Sequence, residues 1–387
     1  MTELAHPSPD MAPLGAPYLR RTSTSDRVRA LVRRVAGRDL YGAALSVYRL
    51  ARGPEVRAPY PLRDKLWAWA HGFRADSAAL YDLRRNDPRD YLNDYTRLFR
   101  CININPLRAL FDEKLLLRAF LLQRGFAQAE TVALISNGCV QIRPFDESGH
   151  YVDLAALERW LIEDGGRFIV KPSDGYYGNG VYLLEVRDGA LVRRRGTELQ
   201  PFHFVGLGRV TTLVERVVEQ GAFWRTLFPG SANTVRAITM WTLGDREPFL
   251  AAAVQRIGTL HTMPTDNWRA GGIAAPVDLE SGRLGVGRIH PHKGKRQEQR
   301  FTQHPDSGAQ IEGAVLPHWD RVRDTVLRAA ASLAVNRYVG WDVLVDDAGR
   351  PVIIEGNGNT GVTIVQVNGG MLASPAIRRF YETCGVI

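Results

Sequence analysis

Trp341-Asp342-Val343-Leu344-Val345, a turn at Asp346-Asp347-Ala348-Gly349-Arg350, and Pro351-Val352-Ile353-Ile354-Glu355-Gly356-Asn357 read as two strands of an antiparallel hairpin. Mirroring the chain about Ala348 sets Asp342 opposite residue 354 or 355, so Asp342 and Glu355 become cross-strand neighbours, roughly 5 Å apart at Cβ. Asn357 shares the face of Glu355 by the period of two, and Val343, Val345, Val352 and Ile354 are assigned to the opposite, buried face. Two crowded carboxylates repel, and a divalent cation relieves that repulsion. With the amide oxygen of Asn357 they form a hard-oxygen set suited to Mg²⁺. Taken alone, the pattern also fits a polar strand edge with unrelated acids.

Upstream, Arg167-Phe168-Ile169-Val170-Lys171-Pro172-Ser173-Asp174-Gly175-Tyr176-Tyr177-Gly178-Asn179-Gly180 is a strand that ends in lysine and opens into a glycine-rich loop. Gly175, Gly178 and Gly180 would let the backbone approach a phosphate, with Lys171 as a point charge beside it. No helix follows at the spacing of a Walker A or dinucleotide fingerprint, and an unliganded hairpin turn fits equally well. Thr211 to Val218 and Asn233 to Met240 are β-rich, each with a charge among apolar neighbours, Glu215 and Arg236 among them. Asn267-Trp268-Arg269-Ala270-Gly271-Gly272 is a polar loop.

The 387 residues, 45% hydrophobic, can fill two or three structural units. No apolar run approaches the roughly 20 residues of a bilayer span, and the first residues lack a signal-peptide pattern, so a cytoplasmic location is expected. Cys101, Cys139 and Cys384 are too scattered for a disulfide framework or a metal spacing. A net charge of +9 favours anionic partners without choosing among them. Only five of the 50 basic residues are lysine, at 65, 114, 171, 293 and 295, so each surviving lysine is informative.

Residues 1–24 read as a flexible tail, 25–100 as a mainly helical region and 101–387 as an α/β (α+β) domain. The arginines from Arg27 to Arg38 form a solvated helix face or, alternatively, a peripheral membrane contact. Arg283 to Arg300 reads as a basic loop.

The order of these pieces resembles the ATP-grasp superfamily, closest to the sugar-transfer-associated ATP-grasp group, related in outline to glutamate ligases and D-alanine:D-alanine ligase. The resemblance rests on Phe111-Asp112-Glu113-Lys114, Val170-Lys171-Pro172, Leu213-Val214-Glu215, Thr234-Val235-Arg236 and the Asp342, Glu355, Asn357 hairpin. His304-Pro305-Asp306-Ser307-Gly308 and Pro317-His318-Trp319 point to the narrower group.

The resemblance implies two α+β subdomains, a lid over about 126–212 and a metal and substrate subdomain over about 213–387, sandwiching ATP. Lys114, Lys171 and the glycine loop would meet phosphates, and Glu215 and the backbone around Val217 would meet adenine. Asp342, Glu355 and Asn357 would hold Mg²⁺, two ions, with Mn²⁺ as a substitute. A carboxylate would become an acyl phosphate with release of ADP, and an amine would then attack it. Arg236 would stabilise the oxyanion, with Asn267 and Arg269 nearby. The substrates implied are an amino acid, peptide or sugar-linked acid and an amine, with no nucleic acid. Two departures stand out: Gly340 occupies the place of an arginine in D-alanine:D-alanine ligase, and the N-terminal region is helical. The competing readings are phosphotransfer to a small-molecule or sugar acceptor and a non-catalytic, polyanion-binding basic protein.

Overall fold

The alternating strand and helix signals resolve into two antiparallel sheets with helices packed on them. A computed structural model describes residues 38–51, 60–174, 180–195, 198–204, 210–290 and 300–387. The tail at 1–24, the arginines from Arg27 to Arg34, Gly175, Gly178 and residues 291–299 of the basic loop lie outside the described residues.

Contacts divide the chain into Met1–Gly72 and Phe73–Ile387. In the first unit, helices Arg38–Leu50 and Leu62–Ala70 bury Leu50, Ala68 and Trp69, and Ser46 Oγ donates to the Trp69 carbonyl at 2.7 Å. Residues 73–100 are helical in part, as their pattern suggests, but they pack with the larger unit: Leu92 and Cys101 share a core with Met240, Tyr338 and Phe380. Periodicity fixes the helices and says nothing of which core receives them.

The first sheet comprises β1 (Thr131–Ser136), β2 (Cys139–Ile142), β3 (His150–Val152), β4 (Arg167–Pro172), β5 (Tyr182–Arg187), β6 (Ala190–Arg195), β7 (Glu198–Pro201) and β8 (Thr212–Arg216), in the order β3-β2-β1-β8-β4-β5-β6-β7. The strand β8, expected to open the C-terminal subdomain, is therefore central to this sheet, between β1 and β4. Helix Leu154–Asp164 starts at Asp153, whose carboxylate accepts from Ala156 N at 2.7 Å, and stops at Gly165, whose φ of 68° suits a residue without Cβ. It seats Leu157 and Leu161 against Val132, Phe168 and Leu184.

The second sheet comprises β9 (Val235–Met240), β10 (Phe249–Ile257), β11 (Ile273–Pro276), β12 (Gly287–Ile289), β13 (Arg300–Phe301), β14 (Tyr338–Val345) and β15 (Pro351–Asn357), in the order β13-β12-β11-β10-β9-β14-β15. One face carries Val235, Ala237, Trp341, Val343 and Ile353 against helix Trp319–Ser332. Part of the other packs Ile238, Met240 and Tyr338 on helix Pro375–Thr383, where Phe380 is fully buried; its truncation to alanine would cost about 3–5 kcal/mol.

The β14–β15 hairpin closes as its turn residues dictate. Asp346 Oδ1 accepts from Arg350 N at 2.7 Å, and Gly349 takes a φ of 74°, where a Cβ would come within 2.5 Å of the His318 ring. Asp342 faces Glu355 directly, as the mirror places it. The next pair is Val343 with Ile353, because a bulge absorbs Ile354. The assignment of Val352 and Ile354 to the Val343 face is thus corrected: Ile353 takes that place in the core, and Ile354 lines a cleft beside Glu355.

Candidate functional site

Asp342 is opposite Glu355 on one side and Arg236 on the other, so the three charges form a row on the face turned away from helix Trp319–Ser332. Arg236 grips Asp342 with a fork, Nε to Oδ1 and Nη2 to Oδ2 at 2.8 Å. Arg256, from β10, adds Nη1 to Oδ2 at 3.0 Å and passes its Nη2 to Asp266. Asp266 Oδ2 accepts from both Thr234 N, at 2.8 Å, and Thr234 Oγ1, at 2.6 Å. Burial pushes the Asp342 carboxyl up, but Arg236 and Arg256 outweigh it and hold the group below its usual range. Burial likewise disfavours the Arg236 cation, and Asp342 more than restores it. The carboxylate repulsion expected of this face is therefore already relieved by the chain's own cations, with Lys114 Nζ 3.7 Å from Glu355 Oε1.

A second charged group lies on the first sheet. Lys171 Nζ is 2.7 Å from Glu215 Oε2, and Arg118 donates to Glu215 Oε1 and to the Ala129 carbonyl. All three side chains are less than a tenth exposed. Burial raises Glu215, yet Lys171 and Arg118 together pull it below the ordinary carboxylate value. Lys171 falls below the usual ammonium value because burial and the nearby Arg118 outweigh Glu215 and the more distant Glu355. Arg118 Nε is buried without a hydrogen-bond partner. Phe111, Lys114, Arg118, Ile354 and Glu355 line a small cleft where the two groups meet. Lys114 opens helix Lys114–Gln123; its backbone N donates to the Ser173 carbonyl at 3.1 Å, and Ser173 Oγ donates to Glu113 at 2.9 Å.

The structure thus brings Lys114 and Glu355 to one cleft, places Lys171 and Glu215 behind it through Arg118, and joins Arg236 to Asp342. Asn357, half-buried, follows on the same strand and donates weakly to the Gly340 carbonyl at 3.4 Å. Val217 N is committed to the Arg167 carbonyl at 2.9 Å. Gly180 has a φ of 73° as β5 approaches. Asn267 caps a short turn, its side chain accepting from Arg269 N at 3.0 Å, and Arg269 points to a separate cleft with Asp94 and His290. Arg269 thus lines a cleft apart from Arg236, and among the described residues Asp266 and Arg256 link the loop to that arginine.

Sequence reading missed Arg256, Asp266 and Arg118. Arg256 is a lone charge in the apolar run of β10, and that oddity is the one signal it gave. Gly340 is explained sterically: a Cβ there would sit 2.2 Å from Thr360 Oγ1, so no side chain fits, and the cations arrive from β9 and β10 instead. The His304 motif is structural. Its Nδ1 accepts from Asp306 N and Ser307 N at 3.2 Å each, which leaves Nε2–H to donate to the Gly258 carbonyl at 2.8 Å.

The donor chemistry fits a hard divalent cation. A carboxylate offers about four lone-pair positions; three on Asp342 are used, and Glu355 has one distant ion-pair contact. Among the described residues no group of three His, Cys, Asp or Glu gathers as a metal site, so a cation held here would need the amide oxygen of Asn357 as well. No described helix is long and apolar enough to cross a membrane.

No curated protein matches the chain. Among solved structures, an ATP-grasp ligase, PsnB, complexed with a minimal precursor is 15% identical, with a TM-score of 0.37, covering 72% of this chain and 62% of its own. A D-alanine–D-alanine ligase from Bacillus anthracis is 13% identical at TM-score 0.36, covering 71% and 67%. An L-amino acid ligase from Bacillus licheniformis is 12% identical at TM-score 0.34, covering 66% and 42%. The chain spans about three fifths of the length of the PsnB chains it matches. The family model described as sugar-transfer associated ATP-grasp matches residues 93–380, most of the sequence, and the chain belongs to that family.

Proposed function

We propose that this protein is an ATP-dependent carboxylate–amine ligase that forms an amide through an acyl phosphate, releasing ADP and phosphate. The observation that carries the reading is the direct opposition of Asp342 and Glu355 beside a cleft that Lys114 enters. In this reading Asp342, Glu355 and Asn357 hold Mg²⁺, whose charge would offset that of the ATP phosphates. Lys114 and Lys171 lie toward those phosphates, and Glu215 with the Val217 segment lies toward the base. Lys114 then exchanges Glu355 for phosphate oxygen, a modest step because the pair is long, at 3.7 Å. Arg236 and Arg256, preorganised by Asp342 and Asp266, present guanidinium donors where charge develops on the attacked carbonyl. The acid and the amine are of amino-acid, peptide or sugar-linked kind.

The test is ADP release from ATP and Mg²⁺ with pooled carboxylates, using hydroxylamine as the amine. ADP and a hydroxamate that both fall by about a hundredfold or more in Glu355→Gln support the reading. AMP as product would replace acyl phosphate with adenylate, and a stable phosphorylated product would make the protein a phosphotransferase.

A further inference from the structure

β15 ends at Asn357, which pairs with Gly340, whereas β14 begins two residues before that glycine, at Tyr338. The buried main chain of Tyr338 therefore extends past the end of its neighbour, where an unpaired amide and carbonyl are costly. Asn105 takes the vacated place. Its side-chain amide reproduces the donor and acceptor of a strand residue: Oδ1 accepts from Tyr338 N at 3.1 Å, and Nδ2 donates to the Tyr338 carbonyl at 2.5 Å. Two residues on, the arrangement is reciprocated. Asn336 Oδ1 accepts from Leu107 N at 3.1 Å, and Asn336 Nδ2 donates to the Leu107 carbonyl at 3.2 Å. Residues 105–107 thus run antiparallel beside 336–338, joined through two asparagine side chains that are both buried.

The same segment also fixes the chain that leaves β15. Asn105 Nδ2 uses its second N–H to donate to the Gly358 carbonyl at 2.7 Å. Arg97, on helix Asp94–Phe99, donates from Nη2 to the Asn359 carbonyl at 2.9 Å and from Nε, more weakly, to the Thr360 carbonyl at 3.5 Å. Gly358 is confined by packing as well, since a Cβ there would come within 2.6 Å of the Phe111 ring. This bracing falls where the hairpin needs it. Asp342 has strand neighbours on both sides, and Glu355 is paired within β15. Asn357 is the terminal residue of an edge strand, where fraying begins, and it faces a glycine that offers no side chain for support.

We propose that Asn105 and Arg97 are positioning residues for the cation site. By holding the carbonyls of Gly358 and Asn359 they hold Asn357, so that its amide oxygen completes the set begun by Asp342 and Glu355. The inference rests on the cation site of the ligase reading above. Groups that orient a metal ligand without touching the metal typically change its affinity by about tenfold or more when removed.

The test is calorimetric titration of the full chain with a non-hydrolysable ATP analogue, once in excess Mn²⁺ and once in EDTA. The ratio of the two affinities measures what the cation contributes. Asn105→Ala should lower that ratio about tenfold and leave the metal-free affinity unchanged. Arg97→Ala, which removes one firm hydrogen bond at a half-buried position, should lower it about threefold and decides the matter if Asn105→Ala does not fold. In an Asn357→Ala background there is no amide left to position, so neither substitution should lower the ratio further. A ratio unchanged in both variants, an equal fall in both affinities, or a loss that adds fully to that of Asn357→Ala would overturn the proposal. Absence of any gain from Mn²⁺ in the unsubstituted chain would overturn the cation site itself and this inference with it, so the two failures are told apart.

Discussion

The two ion networks around the cleft solve the same problem in different ways. On the first sheet a single carboxylate, Glu215, is wrapped by Lys171 and Arg118, all nearly sealed from water. On the second sheet two arginines and two carboxylates alternate as Arg236, Asp342, Arg256 and Asp266, and the arginines keep about 15% exposure. The first network depends on one residue that nothing else can replace. The second is a chain whose inner charges, Asp342 and Arg256, each have two neighbours, so removing one link leaves partial compensation.

That contrast is open to direct attack. Glu215→Gln should leave two buried cations unpaired and cost about 3–5 kcal/mol, measured by chemical denaturation. Asp342→Asn should cost clearly less, because Arg256 retains Asp266 and both arginines reach water; equal losses would erase the distinction. A smaller effect is expected at the base of the second network. Gly340→Ala should cost about 1–3 kcal/mol through its collision with Thr360, and Thr360→Gly in the same chain should restore most of it.

The smallest effect concerns His304, which supports the Gly258 end of β10. Burial holds this imidazole below its ordinary value of 6.5, with the Gly258 carbonyl and Asp306 opposing the shift. The unfolded chain therefore binds a proton first, and stability is lost as pH falls from about 6.5 toward the lower folded value. His304→Gln should flatten that part of the stability profile while costing about 1 kcal/mol at pH 8. An unchanged slope would mean the ring is not held neutral.

Much of this site was legible because its partners are close in sequence or of a rare type. The short turn narrowed the partner of Asp342 to residue 354 or 355, and the pairing with Glu355 is the one the strands adopt. Lys114 and Lys171 stood out because lysine is scarce. The Ile354 bulge was not legible, since neither adjacent residue, Ile353 or Glu355, is a Gly or Pro that would mark it. Arg256 was hidden by the hydrophobic run that carries it, and its partners come from another strand and a loop. Arg118 is one arginine among many, and only the fold brings it to Glu215. The helical character of residues 73–100 was readable, but their attachment to Phe380 and Tyr338 depends on contacts across most of the chain.

The two hydrogen bonds at Ser173 carry a mechanical consequence. Ser173 is where β4 gives way to the glycine loop, and it is latched to Glu113 and to the backbone of Lys114 at the first turn of a helix. Lys171 is two residues before the latch on one side, and Lys114 is on it from the other. Those two hydrogen bonds tie the end of the strand that carries Lys171 to the first turn of the helix that carries Lys114, so the two lysines share one anchor.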